Sequence, residues 1–410
     1  MQQNYFEDKN ILYLLPTNKN QYLNFICDEL SKSLTDIYYF NFVEYSYQYG
    51  IRNTEKHIKD FISEKKIDIV ISSPFAGNYQ LSVEFYASLK NKTKIVFWMF
   101  DDELYLGVYS KYYSQIADAV ITTDYFGVSE YQKLDIPAIF YFSSHTKNNY
   151  YPVKIDKEID VCFIGDCTKN DRMDYVNHLI KNGVSVETFG KGSKNGIINW
   201  NEFSKIMSKS KINLNFTKID NLNWINCGEP LLNRVRQSKG RPIEIALTKS
   251  FCLSEYSPEI NVMFETGKEI DVFHDEKELL EKVKYYLSSD CRREEIALNA
   301  YKKAIENYES EIYIHRTLKT LENVLEIVAG PRVKKTEIFL NRTFKINSIN
   351  GLTSTMLVLI KNKKILCALE LFRELFKYGI FIFFMGFYGG TVRAIKNMMM
   401  LLKTPKNSLK

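Results

Sequence analysis

Short apolar runs, each closed at its carboxyl end by a turn residue or an acid, set the strongest limit on what this chain can fold into. Four occur in the first 150 residues: 10–15 (NILYLL), 67–72 (IDIVIS), 94–99 (KIVFWM) and 119–122 (AVIT). Each is apolar at successive rather than alternate positions, so both faces need cover, as in a strand of a parallel sheet. Amphipathic stretches between the runs supply the covering helices. Three of the runs lead into Ser73-Pro74-Phe75-Ala76-Gly77, Phe100-Asp101-Asp102 and Thr123-Asp124. In open α/β sheets the ligand crevice lies outside the carboxyl ends of the strands, which places a site without naming its ligand.

The series resumes near Asp156. Residues 159–164 (IDVCFI) end at Gly165, and a polar loop leads to a predicted helix from about Arg172 to Lys181, stopped by Asn182-Gly183. Then come 185–189 (SVETF) into Gly190-Lys191-Gly192, 212–216 (INLNF), a helix after Pro242, 250–254 (SFCLS), and helices over 276–287 and 292–307. A chain of 410 residues exceeds one ordinary core. The pattern predicts two α/β lobes in series, 1–150 and 151–330, with a linker around 148–157 and no internal repeat.

From residue 331 the character changes to a basic, partly apolar helical tail, 331–410. It carries 15 Lys/Arg against 3 Asp/Glu, a net +12 in a chain whose total is +6, so everything before it is net acidic. A uniformly basic nucleic-acid surface is therefore not expected, whereas attraction of the tail to an acidic surface is. Residues 379–390 (GIFIFFMGFYGG) form an apolar run of 12, short of the roughly 20 that span a bilayer. Two readings of the tail stay open: it lies in the interface of an anionic membrane, or it packs back on the lobes. The amino terminus shows no basic stretch followed by an apolar run, so no secretory signal is visible and cytoplasm is the expected compartment. Seven dispersed cysteines without a CxxC pair suggest neither a disulfide framework nor a zinc site.

The segment 237–244 reads Gln-Ser-Lys-Gly-Arg-Pro-Ile-Glu. Pro242 suits the first turn of a helix, and the free N–H groups there, with Lys239, Gly240 and Arg241, make a diphosphate site. Glu244, in the same turn, is placed to accept hydrogen bonds from ribose hydroxyls; the alternative is an ordinary helix start whose acid complements the dipole. Asp101 and Asp102 follow a buried strand, and three roles are open for them: general base on an acceptor hydroxyl, ligands of a divalent ion, or caps of the next helix. Asp102 is the candidate base. His145, near the linker, is a further catalytic candidate, its alternative being a solvated loop histidine.

Taken in order, Lys239-Gly240-Arg241-x-x-Glu244-Ile245, Leu253-Ser254-Glu255-Tyr256, Phe264-Glu265-x-Gly267-Lys268-Glu269-Ile270, 282–287 (KVKYYL) and Arg293-x-x-Ile296-Ala297 resemble the carboxyl-terminal lobe of CgeB-like glycosyltransferases, a GT-B group related to glycosyltransferase families 1 and 4. Phe163-Ile164-Gly165 with Arg172, Lys181-Asn182-Gly183-Val184, Asn195-Gly196, 210–215 (SKINLN), Trp98-Met99-x-Asp101-Asp102 and Thr122-Thr123-Asp124 fit the same pattern, so the resemblance covers about 95–316. It implies two Rossmann-like lobes facing across a cleft, with the nucleotide-sugar held by the second and the acceptor by the first. Glu244 would bind ribose; Gly165, Arg172, Lys239 and Arg241 would surround the diphosphate; Glu265 and Glu269 would reach sugar or ribose hydroxyls. Cations and helix N–H groups aimed at the departing phosphate substitute for a metal, so none is expected, and the donor, UDP-linked, is a substrate rather than a cofactor.

Two departures qualify the resemblance. The paired-glutamate motif of many family 4 enzymes would put an acid where this chain has Arg236, and Lys249-Ser250 stands where relatives have small glycines, so a left-handed glycine turn is expected to be lost. The expected activity is sugar transfer to a bacterial cell-surface glycan, lipid-linked or glycoprotein acceptor, at the inner membrane face if the tail binds there. The alternative is a non-catalytic surface, spore-coat or glycan-binding module on the same fold.

Overall fold

A computed structural model of the protein describes residues 5–16, 21–74, 80–142, 145–169, 171–218, 236–238, 240–327 and 338–403. The apolar runs are strands of two wholly parallel sheets. The first contains β1 (Ile11–Leu15), β2 (Ile37–Asn41), β3 (Ile69–Ser72), β4 (Lys94–Met99), β5 (Ala119–Thr122) and β6 (Ala138–Phe140), in the order β2-β1-β3-β4-β5-β6. The second contains β7 (Ile159–Ile164), β8 (Val186–Phe189), β9 (Ser210–Asn215), β10 (Cys252–Glu255) and β11 (Asp271–Phe273), in the order β11-β10-β9-β7-β8. Both orders reverse once, between β1 and β3 and between β7 and β9. Those reversals are the positions where doubly wound sheets open a crevice.

The chain divides into two compact units, one of 1–141 with 317–410, the other of 142–221 with 229–316; a short stretch, 222–228, grouped with the first lies outside the described residues. The second boundary falls inside the helix Ser310–Ile327. In the second unit the central strands β10, β9 apart from Lys211, and β7 from Val161 onward are buried, and the helices Arg172–Lys181, Glu276–Leu287 and Asp290–Asn307 close over them through Val176, Leu179, Leu279, Val283 and Ile296.

The tail belongs to the first unit. Phe344, Ile349, Met356, Leu371 and Phe383 join the same hydrophobic cluster as Leu12, Val70, Ile95 and Phe97. Of the two readings of the tail, packing is therefore observed. The glycines of the apolar run make it possible. On the helix Ile380–Lys403, Gly386 and Gly390 lie four residues apart on one face against the helix Arg342–Lys361. A Cβ on Gly386 would stand 2.5 Å from the Cβ of Ile349, and one on Gly390 would stand 2.6 Å from the Asn350 carbonyl oxygen. No helix among the described residues is long and apolar enough to cross a membrane.

One expectation is corrected. The left-handed turn before β10 is kept, because Lys249 itself adopts it at φ 53° with its side chain in solvent. A long unbranched side chain pointing to water tolerates this conformation at a cost of about 1 kcal/mol.

In an ordinary helix Gly→Ala is stabilising by about 1 kcal/mol. At Gly386 and Gly390 the sign should reverse: either alanine is expected to destabilise the protein by about 1–3 kcal/mol in thermal or urea unfolding, as overpacking does. Alanine at Gly107, where a Cβ would meet nothing within 4 Å, is the control and should be neutral or better.

Candidate functional site

At the carboxyl edge of the second sheet, two glycine turns meet. The Gly165 N–H donates to the Phe189 carbonyl at 2.8 Å, and the Cys167 N–H donates to that of Lys191 at 2.9 Å. Gly190 sits at φ +117°, and a Cβ there would fall 2.1 Å from the Gly165 carbonyl oxygen. The loops after β7 and β8 thus run backbone against backbone, an approach open only to glycine. Arg172 opens the next helix, and its Nη1 donates to the Asp166 carbonyl at 3.0 Å, with the guanidinium 5.8 Å from the Phe163 ring centroid. Arg172 thus lies beside the turn that begins at Gly165.

On the other side of the β7/β9 reversal lies a charged cluster that sequence reasoning did not single out. Glu255 ends β10 at 1% exposure, and its Oε2 accepts the N–H groups of Thr217 (2.8 Å) and Lys218 (3.0 Å). Arg236 Nε stands 3.2 Å from Glu255 Oε1, and Lys218 Nζ stands 2.5 Å from Asp171 Oδ2 at the start of the Arg172 helix. Arg236, which the sequence presented only as a missing acid, therefore sits beside a carboxylate supplied by the neighbouring strand. An acid closing an otherwise apolar strand was the available signal for Glu255. Nothing local marked Lys218.

The helix Arg241–Leu247 lies on the chain's return from β9 to β10, with Gly240 at its N-cap and Pro242 in its first turn. Glu244 is 6% exposed. The Arg241 guanidinium pairs with Glu244 Oε2 and lies 5.0 Å over the Phe203 ring, while His145 Nδ1 stands 3.7 Å from Glu244 Oε1. His145 is itself buried, its carbonyl accepting the Ser310 N–H at 2.9 Å, so it is not a solvated loop histidine. Burial depresses its pKa to about 4, against the upward pull of Glu244 and with a further push down from Arg241. The imidazole is neutral at pH 7. Lys239 lies outside the described residues.

Asp101 and Asp102 belong to the first unit. Asp102 is 2% exposed, and its Oδ2 accepts hydrogen bonds from Thr122 Oγ1 (2.8 Å) and the Tyr131 hydroxyl (2.7 Å). Burial raises its pKa to about 6, partly offset by hydrogen bonds from Ser110, Tyr131 and Thr122. A general base needs reach to its proton, and a carboxyl enclosed in this way meets that need only if the segment around it opens. Asp101 adopts the left-handed conformation at φ 55°, and its side chain does not cap the helix that follows. Glu265 and Glu269 brace their own loop: Glu269 Oε2 accepts the Glu265 N–H at 2.8 Å, and Glu265 pairs with Lys268 at 2.5 Å.

Residues 172–320 match a family model described as glycosyl transferase-like, a span that holds Arg172, Arg241, Glu244 and Glu255. No curated protein matches the sequence. Among solved structures, the HepE protein of Anabaena in complex with UDP is similar over 76% of this chain and 100% of its own, with a TM-score of 0.56 and 11% identity. Sucrose-phosphate synthase from Thermosynechococcus elongatus gives a TM-score of 0.57 at 8% identity, over 78% of this chain and 100% of its own. A glycosyltransferase from Rickettsia africae gives 0.53 at 12%, over 78% and 99%. The fold is GT-B.

Because the unfolded chain protonates His145 near pH 6.5 and the folded chain only near pH 4, folding stability is lost as pH falls through that window. The full effect is on the order of 3 kcal/mol. Urea unfolding of wild type and His145→Asn near neutral pH and near pH 4.5 should show the larger acid loss in wild type. Identical pH dependence would mean that the imidazole is open to solvent.

Proposed function

We propose that the protein is a glycosyltransferase of CgeB-like type. It moves a sugar from a UDP-linked donor to a bacterial cell-surface glycan, lipid-linked or glycoprotein acceptor. The observation that carries this is the buried Arg241–Glu244 pair, within the glycosyl transferase-like span of a GT-B fold. A carboxylate at 6% exposure is held on the interior side of its helix by a guanidinium, and the two together offer what a nucleoside diphosphate needs. The carboxylate accepts from vicinal ribose hydroxyls, and the guanidinium donates to phosphate oxygens in a planar fork.

In the proposed chemistry, the bond between the sugar's anomeric carbon and the diphosphate oxygen breaks while the acceptor oxygen bonds to that carbon. Negative charge then grows on the departing diphosphate. Arg241 and Arg172, with Lys218 and Arg236 at the same sheet edge, supply positive charge fixed before the reaction begins, and a preorganised field stabilises such charge without reorganising. Transfer is therefore proposed to proceed without a divalent ion. Neutral His145 beside Glu244 acts by orientation, holding the carboxylate toward its ribose-facing position. The acceptor proton is assigned to Asp101 or Asp102, in the latter case after opening of the segment around Asp102. Support for UDP as the donor nucleotide comes from the likeness to a fold that binds UDP in HepE.

Calorimetric titration with UDP, followed by transfer assays over a panel of UDP-sugars, tests this. Wild type should bind UDP, and Glu244→Ala should weaken it about 10- to 100-fold, the value of a hydrogen bond to a charged group. Transfer should survive EDTA. Binding without transfer by any donor would favour the non-catalytic module. Unchanged UDP affinity in Glu244→Ala would remove the site from this helix.

A further inference from the structure

The helices Ile365–Glu374 and Ile380–Lys403 present an apolar face to solvent. Leu366 is 80% exposed and Tyr388 75%, and Leu369, Phe372, Phe381 and Phe384 are exposed with them. Spacings of three in Leu366, Leu369 and Phe372, and of three and four in Phe381, Phe384 and Tyr388, put each set on one side of its helix. The two sets approach where Phe376 stacks on Phe383 with centroids 4.4 Å apart and Phe384 lies against Phe383. Isolated exposed hydrophobics need no explanation, but a run of this kind on two adjoining helices marks a surface that meets something apolar.

Charge selects the occupant. Between residues 338 and 403 the only acids are Glu370 and Glu374, and both turn inward. A side chain on Gly50 of the first unit would collide with the Glu370 carboxylate, and Glu374 lines a cavity of about 220 Å³ beside Arg52, Glu55 and Tyr109. The outward surface keeps the cations instead: Lys361, Lys363, Lys364 and Arg373 are exposed, and Arg342 stands 4.9 Å over the Phe381 ring. A second copy of this chain would bring like charge against like. An anionic lipid surface complements both properties at once, receiving the aromatic and leucine side chains below the headgroups while the lysines meet the phosphates.

We propose that these two helices form a docking face on which the protein lies in the interface of an anionic bilayer without crossing it. The contact uses none of the residues assigned to donor binding, so it stands or falls separately from that reading.

Co-sedimentation of the full chain with phosphatidylglycerol/phosphatidylcholine vesicles and with pure phosphatidylcholine vesicles tests it. Binding is expected only to the anionic vesicles and should weaken as salt is raised. Leu366→Ser/Phe384→Ser/Tyr388→Ser should weaken it roughly tenfold or more, with the circular dichroism spectrum unchanged, because each side chain is exposed. Lys361→Gln/Lys363→Gln should also weaken it. Three results would each overturn the proposal: no binding to anionic vesicles, equal binding to both vesicle types, or a dimer in light scattering that the serine variant abolishes. UDP titration on the same preparations reports on the donor site alone.

Discussion

A strand buried on both faces has nowhere to place a charge except at its ends, and in a parallel sheet every carboxyl end lies on the same edge. That constraint arranges both units here. Central strands such as β4, β5 and β7 carry mostly apolar side chains, with Lys94 and Asp160 near their amino ends, and polar residues gather immediately beyond their carboxyl ends: Asp101 and Asp102 after β4, Thr123 and Asp124 after β5, Gly165 and Asp166 after β7, Glu255 at the last position of β10. The second sheet places its glycine turns and its ionic groups around the β7/β9 reversal because the helices leaving the two strands diverge there.

Two buried carboxylates of the second unit show how such charge is tolerated. Glu255 is held mostly by backbone, taking the Thr217 and Lys218 N–H groups with Arg236 alongside. Its Oε2 fixes the loop that follows β9, while Oε1 faces the Arg236 guanidinium. Glu244 relies on one guanidinium and a neutral imidazole. Burying a carboxylate costs several kcal/mol unless it is paired, and a single guanidinium leaves acceptor capacity unused. On the proposed reading, that spare capacity is what a ribose would use.

Much of the fold was legible because central strands of parallel sheets are the easiest elements to see: β4, β5 and β7 have the bounds that their apolar runs predicted. β2, β6 and β11 escaped notice, whereas β8, also at a sheet edge, was predicted as 185–189. β2 (IYYFN) is half-buried throughout and rich in tyrosine, and β6 and β11 have three residues each, too short to stand out as runs. The candidate site was legible where a motif was contiguous, as with Arg241 and Glu244 on one helical turn. It was not legible where the fold joins distant residues: Glu255 lies 37 residues from Lys218, and His145 lies nearly a hundred from Glu244. Lys249 shows a different limit. Sequence identifies the residue that prefers a left-handed turn, but surrounding packing decides whether another residue is made to adopt it.

The carboxyl-terminal run 379–390 posed packing and membrane contact as alternatives, because a run in sequence has no sides. A helix does. Winding GIFIFFMGFYGG at 3.6 residues per turn sends Gly386 and Gly390 toward the helix Arg342–Lys361 and Phe381, Phe384 and Tyr388 away from it. Close packing on one side therefore uses no side chain needed on the other. The glycines let the backbones approach, the approach fixes the helix against the first unit, and the same fixation holds the aromatic side chains in solvent instead of letting them fold back into a core. Packing is in this sense what creates the exposed apolar face. A tail that did not pack would have no defined face to present.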